Sequence, residues 1–272
     1  MALTEFQRRV CRLLAERRIA AGESYVAGAA ALNELIAAPR ISRDLDLFHD
    51  TTEALAATWD ADRRLLLEQG LAVRVIRERP TFVEAEVEIG NEALLVQWAR
   101  ESAFRFFPLL RHPDLGLTLH PFDLATNKVL ALVGRLEVRD WIDAIECHDR
   151  IQPVGYLAWA ACGKDPGFGP ASILEHAARS GRYSEEEVRG LSFEGVPPDA
   201  AELAHRWRAI LAGARDIVAA LPAKEAGRAV LRAGGGFVTA GAAEVGGLLD
   251  RGEIVFHAGR IGGAVPEISP RR

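Results

Sequence analysis

The run Ile41-Ser42-Arg43-Asp44-Leu45-Asp46-Leu47-Phe48 alternates polar with apolar side chains, and no other stretch constrains the fold as tightly. A strand sends successive side chains to opposite faces, so Leu45 and Leu47 must enter a core while Asp44 and Asp46 share the other face. Two carboxylates on one face repel each other unless positive charge reaches them. The residues upstream offer some. Tyr25-Val26-Ala27 reads as a short strand, Gly28 as a tight turn, and Ala29 to Ile36 as a helix stopped by Pro39. Gly28 permits close backbone approach, and the first helical amides, at Ala29 and Ala30, present a positive dipole end to an anion such as phosphate. Hard divalent cations take oxygen ligands, so the carboxylate pair suits Mg²⁺.

Thr4 and Gln7 have capping-box spacing, and Phe6, Val10, Leu13 and Leu14 recur at helical spacing. They predict an amphipathic helix over 4–20 whose other face carries Arg8, Arg9, Arg12, Glu16 and Arg17. Asp50 and Thr52 can cap a helix reaching Gln69, which buries Leu55, Trp59, Leu65 and Leu66. Strand patterns follow at 72–76, 82–89 and 93–99, the last two joined by a Gly90-Asn91 turn. From Asp123 the period turns helical, breaks over 134–139 and resumes over 140–150. The remainder is mainly helical, with a Gly/Pro loop at 163–170, a helix opened by Ser184 and Glu187, a long helix over 199–221, and short strands at 237–239 and 254–257. The expectation is an α+β chain: a mixed sheet with flanking helices in a lobe over 1–122, a helical lobe over 123–233 and a short β-rich tail over 234–272.

Composition excludes several classes. Cys11, Cys147 and Cys162 lack CxxC spacing, so they predict buried structural thiols rather than a disulfide framework or zinc site. His112, His120 and His148 fit no zinc pattern and suit surface or capping roles. No serine sits in a Gly-x-Ser-x-Gly elbow, and Gly234-Gly235-Gly236 lacks the Lys-Ser/Thr of a phosphate loop. No apolar run is long enough to span a membrane and no export signal is visible, which predicts a cytoplasmic protein. The net charge of −5 leaves only a local basic patch for nucleic acid, with Arg100, Arg105 and Arg111 near Trp98, Phe104, Phe106 and Phe107 as candidates. Among 33 basic residues only Lys128, Lys164 and Lys224 are lysine.

The Gly28-Ala29-Ala30 turn and helix followed by Asp44-Leu45-Asp46 resemble the nucleotidyltransferase superfamily of the polymerase-β type. That signature is a Gly-Gly or Gly-Ser turn, a helix, and Asp-x-Asp on the next strand. The segment from Asp123 through Lys128 to Leu132, followed by Arg139-Asp140-Trp141-Ile142-Asp143, is similar to the AbiEii/AbiGii-type toxin family. The resemblance spans 20–150 and implies a nucleotidyltransferase-fold sheet. It also implies Mg²⁺-dependent transfer of NMP from an NTP to an acceptor hydroxyl, with tRNA as acceptor, by the toxin of a toxin–antitoxin pair. Asp44 and Asp46 would ligate two Mg²⁺ ions. Gly28, Ala29, Ser42, Arg43 and Lys128 would contact the nucleotide, Lys128 and Asp143 would join the catalytic set, and Asp140 would support them. The chain departs from the pattern at Ala29 and Ala30, where Gly or Ser and a hydroxyl residue are usual, and at Gln97, where a third carboxylate is usual. These departures leave two alternatives: a silent nucleotide- or partner-binding relative, or transfer to a small molecule or protein hydroxyl.

Overall fold

The computed structural model describes residues 3–267. Its first elements are α1 (Glu5–Ala21), β1 (Ser24–Ala27), α2 (Gly28–Leu35), β2 (Arg40–Ile41), β3 (Asp44–His49), α3 (Thr52–Glu68), β4 (Ala72–Arg79), β5 (Phe82–Ile89) and β6 (Glu92–Arg100). Next come β7 (Phe104–Arg105), β8 (Leu110–His112), β9 (Gly116–Thr118), α4 (Pro121–Arg135), α5 (Val138–Arg150), α6 (Val154–Ala161), α7 (Pro170–Ala177) and α8 (Glu185–Arg189). The last are β10 (Ser192–Phe193), α9 (Ala200–Ala220), a 3₁₀ turn (Ala223–Glu225), β11 (Arg228–Arg232), α10 (Ala242–Asp250), β12 (Ile254–Ala258) and β13 (Arg260–Ile261). The fold is α+β, and the chain divides into two units. One takes the chain up to Ala103 with Leu109–His120 and Ser192–Gly195; the other takes Phe104–Pro108, Pro121–Leu191 and the chain from Val196.

In the first unit seven strands form one mixed sheet in the order β4-β5-β6-β3-β1-β9-β8. β3 lies antiparallel to β1 and parallel to β6, and β1 lies parallel to β9. The alternation expected of β3 is present: Leu45 and Leu47 are fully buried, whereas Asp44 and Asp46 are half-buried on the opposite face. Val83, Ala85, Val87, Leu94, Val96 and Trp98 continue the buried face, which α1 and α3 cover. Trp59 of α3 meets Trp98 edge-on with ring centroids 4.7 Å apart, a geometry that aromatic pairs favour.

Several local expectations change. The strand expected over 41–48 is two strands, because β2 pairs with the sequence-distant β10 and only β3 joins the large sheet. The α3 cap is Thr51, whose hydroxyl accepts the Ala54 amide at 3.0 Å, rather than Asp50 or Thr52. The residues 237–239 form no strand; Phe237 makes a single bridge to Leu231 of β11. Arg8 leaves the polar side of α1 to bridge Glu34 at 2.7 Å and Asp114 at 2.8 Å, and is buried. Strand β9 carries no readable period because it has three residues. Gly116 opens it at φ +75°, where a Cβ would lie 2.9 Å from the Ala15 Cα of α1.

The second unit is built around α6, whose eight residues are all buried. Tyr156 and Trp159 pack with Ile217, Leu221, Val230, Val238, Val245 and Leu248. Buried Gln152 donates to the Val230 and Val238 carbonyls at 2.9 and 2.8 Å, tying β11 to the segment that follows it. Of the groups considered for nucleic acid, the rings of Trp98, Phe106 and Phe107 pack in the core and Arg105 is buried, while Arg100 and Arg111 are exposed. Among the described residues no helix is long and apolar enough to cross a membrane.

Gly116→Ala should destabilise the protein by about 1–3 kcal/mol, since it forces a side chain into a left-handed conformation against α1. Urea titration reads this, and an unchanged midpoint would refute the packing described. Burial lowers the His49 imidazole from 6.5 to about 4, despite a 3.3 Å contact with the Ala99 carbonyl. Below pH 6.5 the unfolded chain takes up a proton that the native one refuses, so stability falls as pH drops toward 4, by roughly 3 kcal/mol in total. Comparing urea midpoints of wild type and His49→Leu from pH 7 to 4 isolates this from Asp62, which burial pushes the opposite way.

Candidate active site

Gly28 and Asp46 fit one another. Ala27 is the register partner of Asp46, and Gly28 turns into α2 at φ +65°. A Cβ built on Gly28 would overlap the Asp46 carboxylate, so only glycine lets that carboxylate lie against the start of α2. Ala27 supplies no side-chain cap to α2, leaving the positive end of the helix dipole directed at acidic or phosphate oxygens. Ala30 is fully buried, which accounts for a methyl where a hydroxyl is usual. Ala29, at the first turn, is 9% exposed.

Ser42 and Arg43 lead into β3. Gln7 closes the capping box on Thr4, its amide oxygen accepting the Thr4 amide at 2.8 Å, while its Nε2 donates to the Ser42 carbonyl at 2.7 Å. One glutamine therefore caps α1 and holds the chain two residues before Asp44. Asn33 of α2 does similar work by donating to the Arg40 carbonyl at 2.8 Å. Exposed Arg43 donates through Nε and Nη2 to the Ser192 hydroxyl at 3.3 and 3.2 Å. Ser192 reaches it on β10, and the Glu194 amide adds a bond to the Pro39 carbonyl at 2.7 Å. Neither Gln7 nor Ser192 stands out from sequence as a site residue; the capping-box spacing is the sole signal for Gln7, and Ser192 has none.

Gln97 occupies the β6 position beside Asp46 in the parallel register, and Glu84 stands opposite it on β5. Its Nε2 donates to Glu84 Oε1 at 2.8 Å. Among the described residues no group of three or more His, Cys, Asp or Glu side chains could hold a metal ion. Asp44 and Asp46 nevertheless offer what Mg²⁺ needs, adjacent carboxylate oxygens on a half-buried face, with remaining positions open to water and phosphate oxygens.

The other expected site residues gather in the second unit. Lys128 of α4 lies between Asp140 and Asp143 of α5, its Nζ 2.9 and 3.1 Å from their carboxylates. Both aspartates are fully buried and the lysine side chain is 8% exposed. Arg135 adds two donors to Asp140 at 3.1 and 3.0 Å. Lys164, expected in an irregular loop, forms a second buried cation site: its Nζ meets Asp123 Oδ1 at 2.8 Å and Asn127 Oδ1 at 2.7 Å. Asp123 also accepts the Phe106 and Phe107 amides at 2.8 and 3.0 Å.

Cys11 and Cys147 are buried as expected, whereas Cys162 is only half-buried. Burial pushes Cys11 up to about 11, and burial with nearby Asp143 raises Cys147 well above the ordinary thiol range. His112 and His148 accept backbone amides at 3.2 Å and so act as caps.

No protein-family model and no curated protein sequence matches the chain. Among solved structures, the chain is similar to MenT4, a nucleotidyltransferase toxin from Mycobacterium tuberculosis, with a TM-score of 0.54 and 18% identity over 80% of this chain and 85% of that one. Two Helicobacter pylori structures also align: JHP933, with a TM-score of 0.48 and 12% identity over 80% of this chain and 95% of that one; and a protein assigned as a nucleotidyltransferase, with a TM-score of 0.47 and 13% identity over 80% and 96%.

Lys128→Ala would remove the cation shared by two buried carboxylates and should destabilise the protein by about 3–5 kcal/mol. Lys224→Ala, at an exposed position, should stay within about 0.5 kcal/mol of wild type. Equal urea midpoints for the two variants would contradict the buried network.

Proposed function

From the premise that this chain has the nucleotidyltransferase fold, we propose that it is a Mg²⁺-dependent nucleotidyltransferase that moves an NMP from an NTP to an acceptor hydroxyl. The observation that carries the reading is the Asp46 carboxylate seated in the space that Gly28 leaves open at the start of α2, with Asp44 on the same face of β3. In the reaction the acceptor oxygen bonds to the α-phosphorus, the bond from that phosphorus to the bridging oxygen breaks, pyrophosphate leaves, and the hydroxyl proton passes to solvent. The amides at Gly28 and Ala29 would receive phosphate oxygens. Arg43, exposed at the entrance to β3, would bind phosphate or acceptor, and Ser42 would fix the turn that aims it. Asp44 and Asp46 would hold two Mg²⁺ ions, which supply charge neutralisation on the triphosphate and a more acidic acceptor hydroxyl. The sequence resemblance also assigns Lys128 and Asp143 to the catalytic set; within the second unit Asp140 pairs with Lys128 and would orient it.

We assign the acceptor to tRNA, the role to a toxin acting in the cytoplasm, and the cognate partner to an antitoxin protein. The sequence similarity to AbiEii/AbiGii-type toxins and the fold shared with MenT4 support this assignment. A second reading, a catalytically silent nucleotide-binding relative, is favoured by Gln97 in place of a carboxylate and by the missing hydroxyl at Ala30.

Incubating the purified chain with α-labelled NTPs, Mg²⁺ and total tRNA should label the RNA, whereas γ-labelled NTPs should not. Asp46→Ala should lower the rate by about 100-fold or more, beyond what loss of an outer-sphere partner costs. Calorimetry showing tight NTP binding without any transfer would select the silent relative. Transfer that is unchanged in Asp46→Ala would overturn both readings of this face.

A further inference from the structure

Asp46, Gln97 and Glu84 form a row across three neighbouring strands. All three are half-buried on the face that also carries Asp44. The register partner of Asp44 is Leu95, which has no donor atom, so β6 offers an oxygen only in the Asp46 row. There the Gln97 amide is not free to rotate. A carboxylate at neutral pH only accepts hydrogen bonds, so the 2.8 Å contact with Glu84 commits the NH₂ end of Gln97 to β5. The planar amide then turns its carbonyl oxygen away from Glu84 and leaves it as the acceptor end. Adjacent strands lie about 4.8 Å apart, which brings that oxygen within range of an ion seated on the Asp46 carboxylate.

We propose that Gln97 Oε1 is a third, neutral oxygen ligand for the divalent cation at Asp46, and that Glu84 is a positioning residue that holds the amide oxygen toward it. The inference rests on Asp44 and Asp46 being the cation site, and it answers the departure at position 97. An amide at this place keeps an oxygen donor but removes one negative charge from the ligand set. The free protein therefore holds the cation less tightly than a three-carboxylate site would, and NTP phosphate oxygens supply the missing charge, so cation and nucleotide load together. Glu84 prevents the amide from presenting its NH₂ group to the cation, an arrangement that would repel it.

The test uses Mn²⁺ as the probe, with free Mn²⁺ counted by electron paramagnetic resonance on the full chain, together with far-ultraviolet circular dichroism to establish folding. Glu84→Ala, which removes the ligand's orienting partner, should weaken Mn²⁺ binding by about 10-fold, and Gln97→Ala, which removes the ligand itself, by at least as much. Glu84→Gln retains an acceptor for the Gln97 amide and should stay within about twofold of wild type, a rescue by hydrogen bonding without charge. Gln97→Glu should tighten binding in the absence of NTP. Unchanged affinity in Gln97→Ala, or equal losses in Glu84→Gln and Glu84→Ala, would overturn the inference and leave the carboxylate site intact. Mn²⁺ binding that survives Asp44→Asn and Asp46→Asn together would instead overturn the cation site itself, and the inference with it.

Discussion

The first unit depends on one steric fact: the Asp46 carboxylate occupies the volume that a side chain at residue 28 would need. Ala27 and Asp46 are paired across β1 and β3, so the turn into α2 and the second carboxylate of Asp-Leu-Asp are set by the same register. A slip of one residue would send Leu45 and Leu47 to the outer face and both aspartates into the core, which neither burial nor charge permits. The core therefore specifies the site. Leu45 and Leu47 pack inward because they are apolar, and that packing presents Asp44 and Asp46 beside a helix start with no side-chain cap of its own.

The legible part of this arrangement is the part written in short-range periodicity. The Gly28 punctuation and the Pro39 stop place β1 and α2 within a residue of their observed ends, and alternation over Leu45 to Leu47 places the end of β3 but not its start at Asp44. What sequence conceals is pairing between distant segments. β9 has three residues and joins the sheet through Val26 opposite Thr118, a contact that no local pattern encodes. β10 has two residues and still brings Ser192 to Arg43 from 149 positions away. Strands this short carry no hydrophobic period, so only the three-dimensional sheet reveals them. The same limit explains Phe237 to Thr239, where an apolar run after a glycine cluster reads as a strand. Val238 enters the core of the second unit instead, and Phe237 stacks on Phe122 at 5.0 Å.

In the second unit the organising groups are buried cations and amides. Asp123 joins the Phe106–Phe107 backbone, Asn127 and Lys164 in one network, and Lys128 joins α4 to α5 through Asp140 and Asp143. Removing one member of such a network leaves an uncompensated buried charge, whereas the intact network contributes little net stability. Its value is in fixing register: each cation satisfies acceptors on particular residues of two segments and would satisfy none of them after a shift.

The scarcity of lysine fits this role. Thirty of the 33 basic residues are arginine, yet in addition to Arg105 two of the cations closed inside the second unit are lysines, each with an 8% exposed side chain. An ammonium group is compact and directs three donors around one atom, while guanidinium is planar and needs acceptors spread across a fork. Between Asp140 and Asp143, or among the Asp123 carboxylate, the Asp123 carbonyl and Asn127, the acceptors converge on a point. Arginine instead takes the broader positions, such as Arg8 between Glu34 and Asp114 or Arg135 on two edges of Asp140. For Lys128 the consequence bears on chemistry as well as packing. Against two carboxylates its single charge leaves the trio formally at −1, which Arg135 brings to zero, so the ammonium charge is fully neutralised inside the second unit.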